Sequence, residues 1–231
     1  MANVKISDIS TTETDLANVA YIEGERTSGN TPVKIPVSLL ATSNAPAAAD
    51  FPTIVQASGL TLTLSDARAG MGFKLVSSGG SGVHVAMAVQ SCTTTFDVLC
   101  RIEYECKYTN PLQAGLGVRN SSNGKIMSIA KVLLGTGNAL EVDKWTSLTA
   151  FSANAASQAA SLYSEIPSRL WLRIAGNGTN VTFYYSANGS DWQQLFTETI
   201  ATFLGSIDQV GLFIDQENSF TMTGCMDWFE A

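Results

Sequence analysis

The sequence predicts an all-β protein, a large two-sheet sandwich preceded by a small N-terminal module. Three observations carry this reading. Phe96, Val98, Cys100, Ile102, Tyr104, Cys106 and Tyr108 alternate with Asp97, Arg101, Glu103, Glu105 and Lys107, and period-two alternation makes one strand face buried and the other wet. From Gly59 onward, short apolar runs are separated by Gly, Asn and Ser turns, a pattern of sandwiches rather than of parallel sheets. The stretch Ala41 to Pro52, ATSNAPAAADFP, is too small-sided and proline-rich to build a core and divides the chain.

Taken in order, residues 1–45 form the N-terminal module, 46–56 a linker and 57–231 the sandwich. In the module, Leu16 to Glu23 reads as a strand, Gly24 to Asn30 as a polar turn and Val33 to Val37 as a second strand. Ser38 to Ala41 reads as a short helical turn. A lone hairpin is marginal in water, so this module is expected to pack on a neighbouring chain or on the main domain. In the sandwich, strands are expected at Gly59–Leu64, Gly72–Val76, Val83–Val89, Phe96–Tyr108, Ala114–Val118 and Ile126–Leu133. Further strands are expected at Leu170–Ile174, Val181–Ser186, Gln193–Phe196, Val210–Ile214 and Cys225–Phe229. The tract Ala150 to Ser164 lacks an apolar stripe and is expected as a long surface loop. Asn188-Gly189 between two apolar runs is a strong hairpin signal, and Gly115 and Gly117 within a strand imply a close backbone approach or a bulge.

Composition excludes several function classes. The chain is 45% hydrophobic and 14% charged, a foldable balance well away from disorder. A sandwich of about 175 residues buries roughly 70% of its unfolded surface, so no metal or disulfide staple is required. The net charge is −7, and no Lys/Arg cluster exists to neutralise phosphates. Nucleic acid and anionic membranes are therefore poor partners. No run approaches the length of a membrane span, and Met1 to Asp8 lacks the apolar core of a signal peptide. The expectation is a soluble protein kept in the cytosol unless released by another route, such as lysis. Cys100 and Cys106 lie about 20 Å apart on one strand at ~3.3 Å per residue, too far for a bridge. Cys92 and Cys225 could find partners only through the fold, and the four thiols are read as small hydrophobes.

Val4-Lys5-Ile6-Ser7-Asp8-Ile9, followed by Val33-Lys34-Ile35-Pro36-Val37-Ser38-Leu39-Leu40, resembles the N-terminal module of bacteriophage tail and virion-appendage proteins. The resemblance covers about 40 residues at the N-terminal end. It implies a virion part assembled in the host cytoplasm, trimeric, with this module facing other virion proteins.

A second resemblance spans residues 59–231. Leu170-Trp171-Leu172-Arg173-Ile174, Gly178, Val181 to Ser186, Asn188-Gly189 and Trp192 are followed by Val210-Gly211-Leu212-Phe213 and Asp227-Trp228-Phe229. Upstream, Phe96-Asp97-Val98 leads to Gln113 through Arg119. This series resembles the concanavalin A-like jelly roll of DUF1349 proteins and is similar to the C-terminal sandwich of some family 43 glycoside hydrolases. It implies a lectin-like sandwich that binds rather than cleaves.

Glu103 and Glu105 project from one strand face about 6–7 Å apart, near the carboxylate separation of glycosidases. Related family 16 hydrolases carry a third acid in an E-x-D-x-x-E run, whereas here Lys107 and Tyr108 follow. The alternating charges fit a solvated face with cross-strand ion pairs, so the protein is expected not to be an enzyme. His84 has no nearby Ser or Cys motif, and no triad is indicated. Ser186 to Trp192 resembles a bacterial sialidase Asp box, itself usually a structural turn, which leaves Trp192 as a candidate for sugar stacking. Trp145, after Glu141-Val142-Asp143-Lys144, is the better candidate for an exposed, sugar-stacking aromatic, with Asp143 as hydroxyl acceptor, although a core position is the more common place for such a tryptophan. No cofactor is required. Calcium, an oxygen-seeking ion, is possible at Asp215, Glu217 and Asp227, which lack EF-hand spacing.

The function expected is a phage tail fibre, tail tip or decoration appendage whose sandwich binds a host-surface glycan, without nucleic acid or membrane insertion. Two alternatives stand beside it: a purely structural virion assembly protein, and a carbohydrate-active enzyme or accessory module.

Overall fold

The computed structural model describes residues 21–24, 33–36, 48–66, 73–79, 82, 84–105, 112–134, 137–158, 169–216 and 222–230. The chain divides into two compact units, residues 1–44 and 45–231. In the first, strands β1 (Tyr21–Gly24) and β2 (Val33–Pro36) pair antiparallel, with Ile22 opposite Ile35. The helical turn expected at residues 38–41 lies outside the described residues.

The second unit is a jelly-roll β-sandwich of two seven-stranded antiparallel sheets. Its strands are β3 (Thr53–Gln56), β4 (Leu60–Asp66), β5 (Phe73–Gly79), β6 (Val85–Ser91), β7 (Thr95–Glu105), β8 (Leu112–Arg119) and β9 (Ile126–Leu134). They continue with β10 (Gly137–Ser147), β11 (Ala150–Gln158), β12 (Arg169–Asn177), β13 (Asn180–Ser186), β14 (Gln193–Thr199), β15 (Gln209–Gln216) and β16 (Met222–Glu230). One sheet has the order β11-β10-β9-β8-β15-β6-β3 and the other β14-β13-β12-β7-β16-β5-β4. A four-residue helix, α1 (Ile200–Phe203), follows β14.

Alternation builds the core between the sheets. Val98, Cys100 and Ile102 of β7, Leu170, Leu172 and Ile174 of β12, and Val181 and Phe183 of β13 turn inward from one sheet. Leu116 and Val118 of β8, Met127 and Ile129 of β9, Leu140 and Val142 of β10, and Leu212 and Ile214 of β15 meet them from the other. Cys92 and Cys100 are free thiols, and burial pushes the half-buried Cys92 up to about 11. Cys106 lies outside the described residues.

Two segments expected as linker or loop are strands, and β10 (Gly137–Ser147) lies where no strand was expected. Residues 46–56, expected as linker, contain β3, which pairs with β6 from Thr53↔Val89 to Gln56↔Ala86. The preceding Phe51 is only 3% exposed, so an aromatic anchor and a β-branched pair outweigh the surrounding small residues. The alanine-rich tract expected as a loop is strand β11 over residues 150–158, paired along β10. It is an edge strand, held by backbone pairing, whose Ala155 and Ala156 pack against the main core.

The first sheet also rolls up on itself. Leu148, in the β10–β11 turn, accepts a 2.8 Å bond from the Val85 amide of β6, although β9, β8 and β15 lie between the two strands in the sheet. The roll encloses a second apolar cluster of Val85, Met87, Val89, Ile126, Ala130, Trp145 and Phe213 on the sheet face turned away from the main core. Glycine makes this closure possible. A Cβ at Gly117 would lie 2.8 Å from Met87 Cε, and one at Gly211 would lie 2.0 Å from the Ala88 carbonyl oxygen.

Candidate functional site

Two faces of the sandwich carry the candidate residues. On β10, Leu140 and Val142 point into the main core, so Glu141, Asp143 and Trp145 share the opposite face. The rolled sheet covers that face. Trp145 is 1% exposed, with its Nε1 donating to Ser128 Oγ at 3.3 Å. Of the two positions weighed for Trp145, the structure shows the core one and not the exposed sugar platform: the roll closes over the charged neighbours that suggested a surface.

Asp143 is likewise 1% exposed and is not the open hydroxyl acceptor expected. Its Oδ1 accepts from Asn154 Nδ2 at 2.9 Å, while its Oδ2 and the Oε1 of Gln113 have no hydrogen-bond partner among the described residues. Burial, reinforced by the charge of Glu141, pushes the Asp143 carboxyl up to about 6, with the amides of Gln113 and Asn154 pulling the other way.

The outward face of the other sheet is open to solvent. The inward turn of Leu172 and Ile174 leaves Trp171 and Arg173 on it, the inward turn of Val98 and Cys100 leaves Asp97 and Arg101, and the inward turn of Phe183 leaves Thr182 and Tyr184. Register brings them together: Arg173 lies opposite Tyr184, and Ala175 opposite both Thr182 and Asp97. Arg173 donates to Asp97 through Nε at 2.7 Å and Nη2 at 2.5 Å, a bidentate pair with side-chain exposures of 28% and 50%. These hydrogen bonds raise the Arg173 pKa above its ordinary value.

The Arg173 guanidinium also lies 5.1 Å from the Tyr184 ring centroid and 5.7 Å from that of Trp192. Both rings are half-buried. The hydroxyls of Thr182 and Thr197 meet at 2.9 Å on the neighbouring strands.

Trp192 is positioned by the turn the sequence singled out. Asn188 Oδ1 accepts the amides of Ser190 and Asp191 at 2.9 Å, and Asn188 Nδ2 donates to Asp191 Oδ2 at 2.7 Å. Gly189, at φ +77°, lets the turn lie on the Trp171 ring, 2.8 Å from where its Cβ would be. The structure thus keeps Trp192 in an accessible row with Arg173, Tyr184 and Asp97, and separates it from Trp145 and Asp143. Tyr184, Arg173 and Asp97 were missed; alternation in the Leu170–Ile174 and Val181–Ser186 runs placed them on outward faces, but the register between distant strands was not readable.

His84 is half-buried before β6, its Nδ1 3.0 Å from the Gly82 carbonyl, and its amide donates to Asp215 Oδ1 at 3.2 Å. Asp215 is buried, Glu217 lies outside the described residues, and Asp227 lies on β16. Among the described residues no three acidic, histidine or cysteine side chains are grouped to hold a metal. Glu103 and Glu105 end β7, with Glu103 opposite Arg169 and Cys225.

No protein-family model and no curated protein matches the sequence. Among solved structures the chain is similar to a functionally unknown protein from Saccharomyces cerevisiae, at 11% identity and TM-score 0.53, over 80% of this chain and 97% of that one. It is also similar to the GH43 BlXynB protein from Bacillus licheniformis, at 14% identity and TM-score 0.53, over 78% of this chain. The match spans 38% of that longer protein. At these identities the likeness is one of fold, and it agrees with the concanavalin A-like sandwich expected.

Proposed function

We propose that this protein is a non-catalytic bacteriophage virion appendage whose sandwich binds a host-surface glycan on the face carrying Trp192, Arg173, Tyr184 and Asp97. The observation that carries the binding site is the Arg173 guanidinium lying over two half-buried aromatic rings and paired with Asp97 on the sheet face. Sugar rings present apolar C–H faces that pack on aromatic rings, and hydroxyls that bond to carboxylates and guanidinium groups. Preorganisation by cross-strand register reduces the entropy lost on binding.

Two further points support the reading. The sandwich resembles a fold shared with a GH43 protein, and the first 40 residues resemble virion-attachment modules. On this reading residues 1–45 join the protein to other virion proteins as a homotrimer. The test is retention of the full chain on host envelope polysaccharide, with Trp192→Ala and Tyr184→Ala each weakening it about tenfold or more, the loss of one stacking contact. Unchanged retention in both variants would move the site elsewhere. Absence of any retention would leave the assembly role in its place.

A further inference from the structure

We infer that this face selects uncharged glycans, and that Asp97 sets the selectivity; the inference rests on the glycan-binding reading above. Recognition of an anionic sugar by arginine uses the planar fork of guanidinium N–H groups, which matches a carboxylate bidentately. On Arg173 the side-on edge of that fork is occupied and its charge is matched by a carboxylate, which leaves the end-on Nη1 edge to face ligand beside the negative charge of Asp97. Nε and Nη2 both donate to the two oxygens of Asp97, at 2.7 and 2.5 Å. The guanidinium, over the rings of both Tyr184 and Trp192, is therefore charge-compensated by Asp97.

The surroundings oppose an anion further. Asp97 is half-exposed beside the rings. Asp191, next to Trp192, is exposed and held by Asn188. The chain carries a net charge of −7, a field that repels a polyanion as it approaches. A neutral sugar meets none of these penalties. Its ring face packs on Tyr184 or Trp192, and its hydroxyls donate to the outer lone pairs of Asp97 or bond to the Thr182–Thr197 hydroxyl pair.

The experiment is an array of neutral polysaccharides (mannan, β-glucan, dextran) and acidic ones (alginate, polygalacturonate, hyaluronate). It is probed with the full-length protein at about 0.15 M salt, where only short-range charge interactions persist. Wild-type protein is expected on neutral polymers alone. Asp97→Asn removes the compensating charge and one of the two acceptors on Arg173, so it is expected to lose about tenfold on neutral polymers and to gain retention on the acidic ones. Asp97→Glu, which keeps the charge, retains the neutral preference and separates this effect from a folding defect.

Wild-type retention on acidic polymers that Trp192→Ala abolishes would overturn the charge selectivity while leaving the glycan reading intact. An Asp97→Asn profile identical to wild type would overturn the role of Asp97. No retention on either series would sink the glycan reading and this inference with it.

Discussion

The rings of Trp145 and Phe213 lie 5.8 Å apart between centroids, although β9 and β8 separate their strands within the sheet. This contact, with the Leu148–Val85 hydrogen bond, holds the first sheet in its roll. Trp145 also meets Phe151 edge-on at 5.1 Å. Trp145→Ala is therefore expected to cost about 3–5 kcal/mol, the range for a fully buried large aromatic, in equilibrium urea unfolding. Glycan retention by the fraction that remains folded should be unchanged. A loss of stability below about 1 kcal/mol, in the range of ordinary surface substitutions, would contradict the buried position.

The same roll buries Asp143, and the sign of its pH effect follows from its raised pKa. Its ordinary value is 3.8 and its folded value about 6, so the folded state binds the proton more tightly than the unfolded state. The contribution of this group to stability thus falls as pH rises from about 4 to about 6, and stays low above that. Asn at this position carries no charge and keeps an oxygen to accept from Asn154. Asp143→Asn is expected to be more stable than wild type at pH 7 to 8 by on the order of 1–3 kcal/mol. The advantage should vanish near pH 4. Urea melts of both proteins across this pH range check it, and a difference independent of pH would refute it.

Two glycines in the roll predict an order of damage. The Cβ of an alanine at position 211 would sit 2.0 Å from a backbone oxygen of β6, whereas at position 117 the nearest atom is the flexible end of Met87, at 2.8 Å. Backbone in a seven-stranded sheet cannot retreat without breaking pairing, but a methionine tip can change rotamer. Gly211→Ala should lower the melting temperature well beyond Gly117→Ala, with overpacking costs of about 1–3 kcal/mol for the milder site. Equal shifts would mean that the strands are spaced differently.

These positions also show what was legible in the sequence. Strand β7 and the Asn188-Gly189 turn were readable because each obeys a local rule: one wet face, and one required positive φ. Strand β10 was not. Its Leu140 and Val142 face the main core while Trp145 faces the rolled cluster, so burial on both faces erases the alternation. The acids around Trp145 then mimic a surface segment. Of the candidate site only Trp192 was legible, for the same reason: it follows a recognisable turn, whereas Asp97 and Arg173 are 76 residues apart and meet only through the pairing of β7 with β12.

The two sheets are tied at one margin by Lys144 of β10 and Glu198 of β14, whose Nζ and Oε1 lie 2.5 Å apart at side-chain exposures of 16% and 15%. Lys144 Nζ also lies 5.6 Å from the Phe196 ring centroid and 5.3 Å from that of Phe203, so the pair is largely desolvated. Glu198 Oε2 is buried without a hydrogen-bond partner among the described residues, which means part of the desolvation cost is not recovered. Removing one partner leaves a buried charge alone; removing both leaves an apolar contact. Glu198→Gln alone is thus expected to destabilise by about 2–4 kcal/mol, while the Lys144→Met, Glu198→Leu double variant returns to within about 1 kcal/mol of wild type or exceeds it. A double-mutant cycle by urea unfolding measures this. Additive losses in the double variant would show instead that the ion pair itself stabilises the closure of the sandwich.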